Sequence, residues 1–113
     1  MRALILTALL LASCGDHTKV RIHETTREDI DARAGMPSWA WAEWHDFGYE
    51  VLCDIYIMPP AAYGPAPCYE AVLRHEKRHC YEFDFHPYSR EYFDPDIVAA
   101  CPQSSWQREG AKP

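Results

Sequence analysis

Two histidines four residues apart, with a glutamate beside the first, are the residues of this sequence best suited to chemistry. They are His75 and His79 of an HEKRH segment, and the glutamate is Glu76. On a helix, side chains at positions i and i+4 lie one turn apart on the same face, so both imidazoles can reach one zinc ion. The intervening carboxylate then lies beside a metal-activated water, where it can act as a general base.

The helix that carries this segment is expected to begin at Pro67, which suits a first turn, and to continue to about residue 82 or 83. At 100° per residue, His75, Glu76 and His79 fall opposite a largely charged sector of that helix. This sector, predicted to face solvent, contains Glu70, Arg74, Lys77, Arg78 and Tyr81. Because two imidazoles and a carboxyl are costly to bury without partners, we expect a metal ion and its water there. A hydrogen-bonded cluster without metal is the alternative.

The HEKRH segment resembles the HExxH signature of the zincin metallopeptidases. In that family the signature helix lies beneath a sheet whose edge strand binds extended substrate. The resemblance covers residues 38–90, and only HEKRH is a specific motif. It implies zinc as cofactor, a peptide or protein as substrate, His75 and His79 as ligands, and Glu76 as the catalytic base. It also implies that the strand over residues 49–58 is the edge strand.

The third metal ligand departs from the patterns of that family. The metzincin signature HExxHxxGxxH places its glycine where Glu82 stands and its last histidine where Phe85 stands, and His86 comes one residue later. On a straight helix His86 would lie about 16 Å along the axis from His75, out of reach of a shared ion. The helix must therefore break before His86, which Pro87 favours.

We expect His86 to be the third ligand and Tyr88 to stabilise an oxyanion, as a tyrosine near the metal does in some zincins. Three carboxylates remain alternatives to His86 as ligand: Asp84, Glu82 and, in a gluzincin-like arrangement, Glu91.

The N-terminal residues resemble a bacterial lipoprotein signal peptide. Arg2 precedes a short apolar run over residues 3–12, and a Leu-Ala-Ser-Cys tetrad ends at Cys14. The run is too short to span a membrane as a helix. The resemblance implies that residues 1–13 are removed and that Cys14 carries acyl chains such as palmitate, which anchor the protein to a membrane. An apolar helix retained in the fold is the alternative.

The residues after Cys14 bear on which membrane is used. By resemblance to enterobacterial sorting rules, Gly15 does not signal retention in the inner membrane, while Asp16 keeps the question open. We expect a cell-envelope location, at the periplasmic face of the outer membrane or the cell surface rather than at the inner membrane.

Composition excludes several other classes of protein. The chain has 113 residues and a net charge of −6, without a basic run that could follow a phosphate backbone, so nucleic acid is not an expected partner. No stretch reaches the roughly 18–20 apolar residues of a membrane span, which excludes a multi-pass membrane protein. A chain of this length can bury one modest core.

Cysteines other than Cys14 indicate a cross-linked fold. There are four, Cys53, Cys68, Cys80 and Cys101. In an oxidising compartment they predict two disulfides, with three possible pairings. Each bond would stabilise the fold by about 2–4 kcal/mol. No pair has CxxC spacing, which disfavours a cysteine metal site.

The expected fold class is α+β: a small antiparallel hairpin packed on the HExxH active-site helix, minimal, zincin-like and disulfide-stapled. The hairpin strands are predicted over residues 39–44 and 49–58, and Asp94 is predicted to cap a last short helix. Thr26 and Gly35 should bound a short helix before the hairpin. The chain divides into a lipidated cysteine with a tether (residues 14–35), a zincin-like domain (36–103) and a flexible tail (104–113).

The function expected from these features is a membrane-anchored zinc metallopeptidase that hydrolyses peptide bonds in the bacterial cell envelope. Two alternatives stay open. One is a non-catalytic metal-binding or structural lipoprotein, an accessory of a phage, plasmid or secretion system. The other is a hydrolase of peptidoglycan peptides.

Overall fold

A computed structural model describes residues 17–87 and 93–102, which form an α+β fold. In chain order the elements are β1 (Thr18–Glu24), α1 (Arg27–Ala34), β2 (Trp41–Asp46), β3 (Val51–Ile57), a 3₁₀ turn (Pro60–Tyr63), α2 (Ala66–Glu82) and α3 (Pro95–Ala100). Within these ranges no helix combines the length and apolarity needed to cross a membrane. Cys14 and residues 1–13 lie outside the described part, as does the predicted tail.

The predicted hairpin is confirmed, with its strands shifted by up to two residues. β2 and β3 pair antiparallel, and Trp44 lies opposite Cys53. The turn between them contains Gly48 at a φ of 86°, a conformation that glycine adopts without steric cost. The Gly48 N–H donates to the Asp46 carboxylate at 2.8 Å, which holds the turn.

A third strand corrects the predicted sheet. The residues assigned to a tether form β1, which pairs parallel with β3 and gives the strand order β1-β3-β2. β1 escaped prediction because only Val20 and Ile22 among its residues are strongly apolar, and both remain partly exposed. The addition of β1 makes β3 the central strand, so the expectation that β3 is an edge strand was wrong.

One face of the sheet packs against α2. Alternate residues of β3 point to this face, and Cys53, Ile55 and Ile57 are at most 1% exposed. They share a core with Val72 and other buried residues of α2. Burial of each large aliphatic side chain favours folding by about 1.5–3 kcal/mol.

Both predicted disulfides form, and the structure selects one of the three pairings. Cys53–Cys80 joins the central strand to α2, and Cys68–Cys101 joins α2 to α3. The two bonds therefore hold α2 to the sheet at one point and to the last helix at another.

The opposite face of the sheet is covered in part by α1. The predicted ends of this helix are confirmed, since the Thr26 hydroxyl accepts from the Asp29 N–H and Gly35 has a φ of 74°. Ile30 is fully buried, and the Arg33 guanidinium lies 3.6 Å from the centre of the Tyr56 ring on β3.

Candidate metal centre

Helix α2 presents its histidines to the protein interior, as its amphipathic pattern predicts. All five residues of the predicted solvent sector are exposed: Glu70, Arg74, Lys77, Arg78 and Tyr81. On the other side, the His75 side chain is 9% exposed, and Glu76 and His79 are 6% and 3% exposed. His75, Glu76 and His79 are therefore turned toward the fold, while Lys77 and Arg78 of the same segment face solvent.

The chain breaks after α2 and returns toward these histidines. Phe83 follows the last helical residue with a φ of 56° and a ψ of −120°, while its N–H still donates to the His79 carbonyl. The turn brings His86 back, so that its Nε2 lies 3.0 Å from Nε2 of His75 and 3.1 Å from Nε2 of His79. The predicted break before His86 is confirmed, and the three side chains form a group that could hold a metal ion.

The Nδ1 atoms of the three imidazoles each have an oxygen acceptor. The Nδ1–H groups donate as follows: His75 to the Asp94 carboxylate at 2.5 Å, His79 to the Phe83 carbonyl at 2.7 Å, and His86 to the Pro87 carbonyl at 2.8 Å. A carbonyl or an ionised carboxylate can only accept, so the proton of each neutral ring belongs on Nδ1. The lone pairs are then on the three Nε2 atoms, which converge.

The convergence suits a cation. Lone pairs that face one another at about 3 Å repel, and a cation among them replaces that repulsion with attraction. Nitrogen ligands 2.0–2.1 Å from a tetrahedral ion lie roughly 3.3 Å apart, close to the separations found here. The two separations from His86 are therefore close to those of a tetrahedral site, and the ligand atoms of all three histidines lie within 4.8 Å of one another.

Burial keeps the imidazoles of His75 and His79 in the neutral form that binds metals. Burial lowers the pKa of His79 to about 4, although the Phe83 carbonyl opposes this shift. Burial also lowers the pKa of His75, and the hydrogen bond to Asp94 only partly offsets it. Burial alone would raise the pKa of Asp94, but the hydrogen bonds from His75 and from the Asp96 N–H lower it overall. At neutral pH a neutral His75 therefore donates to an ionised Asp94.

Glu76, the residue that follows His75 in α2, has a buried carboxyl. Burial raises its pKa to about 8. Among residues 17–87 and 93–102, its carboxyl has no hydrogen-bond partner in the protein. A buried polar group normally has a partner, and a carboxyl without one often has a chemical role.

Aromatic side chains surround the histidines. The Trp44 ring of β2 stacks on His79 at 6.1 Å, and the Phe83 ring packs against Trp44 at 5.6 Å. On another side, the Phe85 ring lies 4.5 Å from that of His79, and the Arg78 guanidinium covers Phe85 at 4.2 Å. The site thus lies between α2, strand β2 and the turn after the helix, with aromatic rings on two sides.

The other predicted site residues fall outside the cluster or outside the described part of the chain. Glu82 is exposed and pairs with Arg78 at 2.7 Å, and Asp84 is exposed and does not join the three histidines. Tyr88 and Glu91 lie outside the described residues.

Asp94 was predicted only as a helix cap, but it also contacts the candidate site. It does cap α3, since its carboxylate accepts from the Asp96 N–H at 2.8 Å. The same carboxylate orients His75. No spacing in the sequence indicates this second role, because the contact depends on how α3 packs against α2.

In comparisons with known proteins, the chain matched no family model, no curated protein and no solved structure. Any functional conclusion therefore rests on the residues themselves. Those residues supply three convergent imidazoles, a buried carboxyl and an aromatic enclosure.

Proposed function

We propose that this protein is a lipid-anchored zinc metallopeptidase that hydrolyses peptide bonds in the bacterial cell envelope. The observation that carries the proposal is the approach of the His86 Nε2 to the Nε2 atoms of His75 and His79 at 3.0 and 3.1 Å. These residues come from a helix and from the chain beyond its end, and the break at Phe83 makes their approach possible.

Zinc is the metal favoured by this donor set. Neutral imidazoles suit zinc and other late transition metals, whereas Mg²⁺ and Ca²⁺ prefer oxygen ligands. Three protein ligands are typical of catalytic zinc, which keeps a fourth position for water or substrate, while structural zinc has four protein ligands. Acceptors behind each imidazole, such as Asp94 behind His75, are typical of zinc sites as well.

Glu76 is the residue proposed to move the proton. When bound, zinc supplies Lewis acidity, which polarises a carbonyl and makes water more acidic. Glu76 adjoins His75 in the helix and is buried without a hydrogen-bond partner among the described residues. A bound cation would favour the ionised form of Glu76 and so oppose the effect of burial on its pKa. In the proposed role the resulting carboxylate takes the proton of the attacking water and passes it to the leaving amine.

The turn after α2 supports a zincin-like arrangement. In the metzincin signature the last histidine comes three residues after a glycine that turns the chain. Here the residue with positive φ is Phe83, and His86 comes three residues later. Both positions are displaced by one residue, so the spacing from turn to histidine is the same. A Glu82 in place of the signature glycine therefore does not argue against a third histidine ligand.

The substrate strand is reassigned from β3 to β2. β3 is flanked on both sides, whereas β2 has β3 as its one partner among residues 17–87 and 93–102 and contributes Trp44 to the wall of the site. An extended peptide could add to such an edge through main-chain hydrogen bonds. We therefore propose that substrate lies along β2.

Metal analysis of the mature lipoprotein tests the site. The wild-type chain should contain about one zinc ion, and His86→Ala should lose it because two imidazoles bind zinc far more weakly than three. Asp84→Ala and Glu82→Ala are matched controls from the same turn and should keep the metal. Zinc retained in His86→Ala but lost in either control would overturn the assignment of the third ligand.

Hydrolysis assays test the catalytic role separately. Glu76→Gln should keep zinc and lose hydrolysis by about 10²–10⁴-fold, because the amide cannot accept the proton. Unfolded protein and muropeptides should be compared as substrates, since preference for muropeptides favours a peptidoglycan hydrolase. A fully zinc-loaded protein that cleaves neither would favour the non-catalytic lipoprotein, and activity that survives Glu76→Gln would contradict the mechanism.

A further inference from the structure

We propose that the tip of the β2–β3 hairpin docks on the surface of a lipid bilayer, with Phe47 and Tyr49 inserted among the headgroups beside the anchor. This inference rests on the proposed lipidation of Cys14 and does not depend on zinc binding or on peptidase activity. The surface that the hairpin tip contacts is the membrane that holds the lipid anchor.

The hairpin tip exposes two neighbouring aromatic side chains. Phe47 is 52% exposed and Tyr49 is 77% exposed, and their ring centres lie 6.4 Å apart. An exposed aromatic pair at a turn contributes little to a core. An apolar ring with a polar hydroxyl, as in tyrosine, suits the boundary between headgroups and acyl chains, where aromatic residues are enriched in membrane proteins.

The parallel strand β1 brings the anchor to the same end of the sheet. Thr18, the first residue of β1, lies opposite Val51, the first residue of β3, and the Val51 N–H donates to the His17 carbonyl at 2.9 Å. β3 begins directly after the turn that carries Tyr49, so the start of β1 is close to the tip. Cys14 precedes His17 by only three residues, which span at most about 11 Å when fully extended.

The direction of β1 therefore decides which part of the domain faces the membrane. An antiparallel β1 would begin beside Ile57, about 20 Å away along the six residue steps from Val51. The tether would then leave the fold at the end opposite Phe47 and Tyr49. With the observed pairing, acyl chains on Cys14 hold the aromatic tip close to the bilayer.

The charged residues at the tip indicate that it binds the membrane through its aromatic rings and not through attraction of basic side chains to anionic headgroups. The side chain of Lys19 pairs with that of Glu50 at 2.9 Å, and the Asp46 carboxylate accepts from the turn at Gly48. Within the described part of the chain, this region therefore shows no cluster of basic residues of the kind that binds anionic headgroups. The hairpin tip therefore suits a surface of zwitterionic lipid, which its aromatic rings contact next to the anchor.

Fluorescence quenching by brominated lipid tests this docking on the intact acylated protein. Phe47→Trp places an aromatic reporter at the tip, and Ala61→Trp is the matched control in the exposed 3₁₀ turn at the other end of the sheet. Each variant is measured in phosphatidylcholine vesicles with and without bromine near the headgroup end of the acyl chains. The unsubstituted protein is measured in the same way, and its native tryptophan signal is subtracted.

The fluorescence added by Phe47→Trp should fall about twofold or more in brominated vesicles, while that added by Ala61→Trp should not change. Equal quenching of both reporters, or quenching of neither, would overturn the docking proposal. A Cys14 without acyl chains by mass spectrometry would overturn it as well. Zinc content and hydrolysis, measured on the same samples, report on the proposed peptidase independently.

Discussion

Of the three groups that accept hydrogen bonds from the Nδ1 atoms of the cluster, only Asp94 is a side chain. The acceptors for His79 and His86 are backbone carbonyls, which substitution cannot remove. Asp94 also brings a negative charge, which strengthens His75 as a donor to a cation and fixes its tautomer. Among the three histidines, His75 is therefore the one whose hydrogen-bond acceptor can be changed by mutation.

Substitution of Asp94 should weaken zinc binding without unfolding the protein. Asp94→Asn keeps an acceptor oxygen without the charge and should lower zinc affinity about tenfold, while Asp94→Ser is too short to reach His75 and should lower it 10–100-fold. Both residues remain good helix caps, so the zinc-free protein should lose only the contribution of the hydrogen bond to His75, at most about 3 kcal/mol of unfolding free energy. Competition with a chromogenic chelator measures the affinity. An unchanged affinity in Asp94→Ser would show that the contact does not support the metal.

On the other face of the sheet, Asp54 should make stability depend on pH. The hydrogen bonds of the Arg21 guanidinium lower the pKa of Asp54, and the His23 contact lowers it further, while burial opposes both. A carboxyl whose pKa is lower in the folded state stabilises the fold above its unfolded pKa of about 3.9. That contribution is lost as pH falls through the folded pKa.

We expect Asp54→Asn to lower the unfolding free energy by about 1–2 kcal/mol at pH 7, and this difference from wild type should shrink below about pH 4. Urea unfolding between pH 7 and 3 measures it. Glu43→Gln is a control at the residue opposite Asp54 on β2, where an exposed pair with Arg33 should contribute only a few tenths of a kcal/mol. If the difference in unfolding free energy between wild type and Asp54→Asn grew as the pH fell, the pKa of Asp54 would not be lowered in the folded state.

At the scale of elements, the end of α2 decides whether the cluster of three histidines forms. Phe83 adopts a φ of 56° with a ψ of −120°, a region that costs a residue with a Cβ atom about 1–3 kcal/mol. Its carbonyl holds His79, and its ring packs on Trp44. The strained backbone is thus retained at a position where both main chain and side chain support the site.

The strain at Phe83 can be separated from the packing of its ring by comparison of two variants. Phe83→Ala and Phe83→Gly both remove the ring, but only glycine adopts the positive φ without strain. Phe83→Gly should therefore be more stable than Phe83→Ala by about 1–2 kcal/mol, although glycine ordinarily destabilises a fold relative to alanine. Thermal unfolding of the zinc-free proteins measures the difference. An alanine variant as stable as the glycine variant would show that the turn is not strained.

How well the sequence predicted each element depended on how local its determinants are. α2 could be predicted because its exposed and buried positions follow the helical period, and α1 because Thr26 and Gly35 are local end signals. β1 could not, because its partner β3 is about thirty residues away and its charged side chains obscure the strand pattern. The contact of Asp94 with His75 was missed for the same reason, since it requires the packing of α3.

At the scale of the whole molecule, the two disulfides connect the site to the rest of the fold along separate routes. Cys80, the neighbour of His79, is bound to Cys53 on the central strand. Cys101 ends the helix that Asp94 caps, and its bond to Cys68 fixes that helix against α2. One disulfide thus supports His79 through the sheet, and the other supports His75 through Asp94.

Loss of the Cys68–Cys101 bond should therefore weaken zinc binding mainly through Asp94. The Cys68→Ala/Cys101→Ala protein should lose about 2–4 kcal/mol of stability and bind zinc more weakly. In a protein that already carries Asp94→Ser, the same two cysteine substitutions should lower zinc affinity much less. The contact between Asp94 and His75, which the disulfide positions, is already absent there. Cys53→Ala/Cys80→Ala is the matched control, and its effect on affinity should be equally large with and without Asp94→Ser. If the two pairs behaved alike in both backgrounds, the last helix would have no specific part in holding the metal.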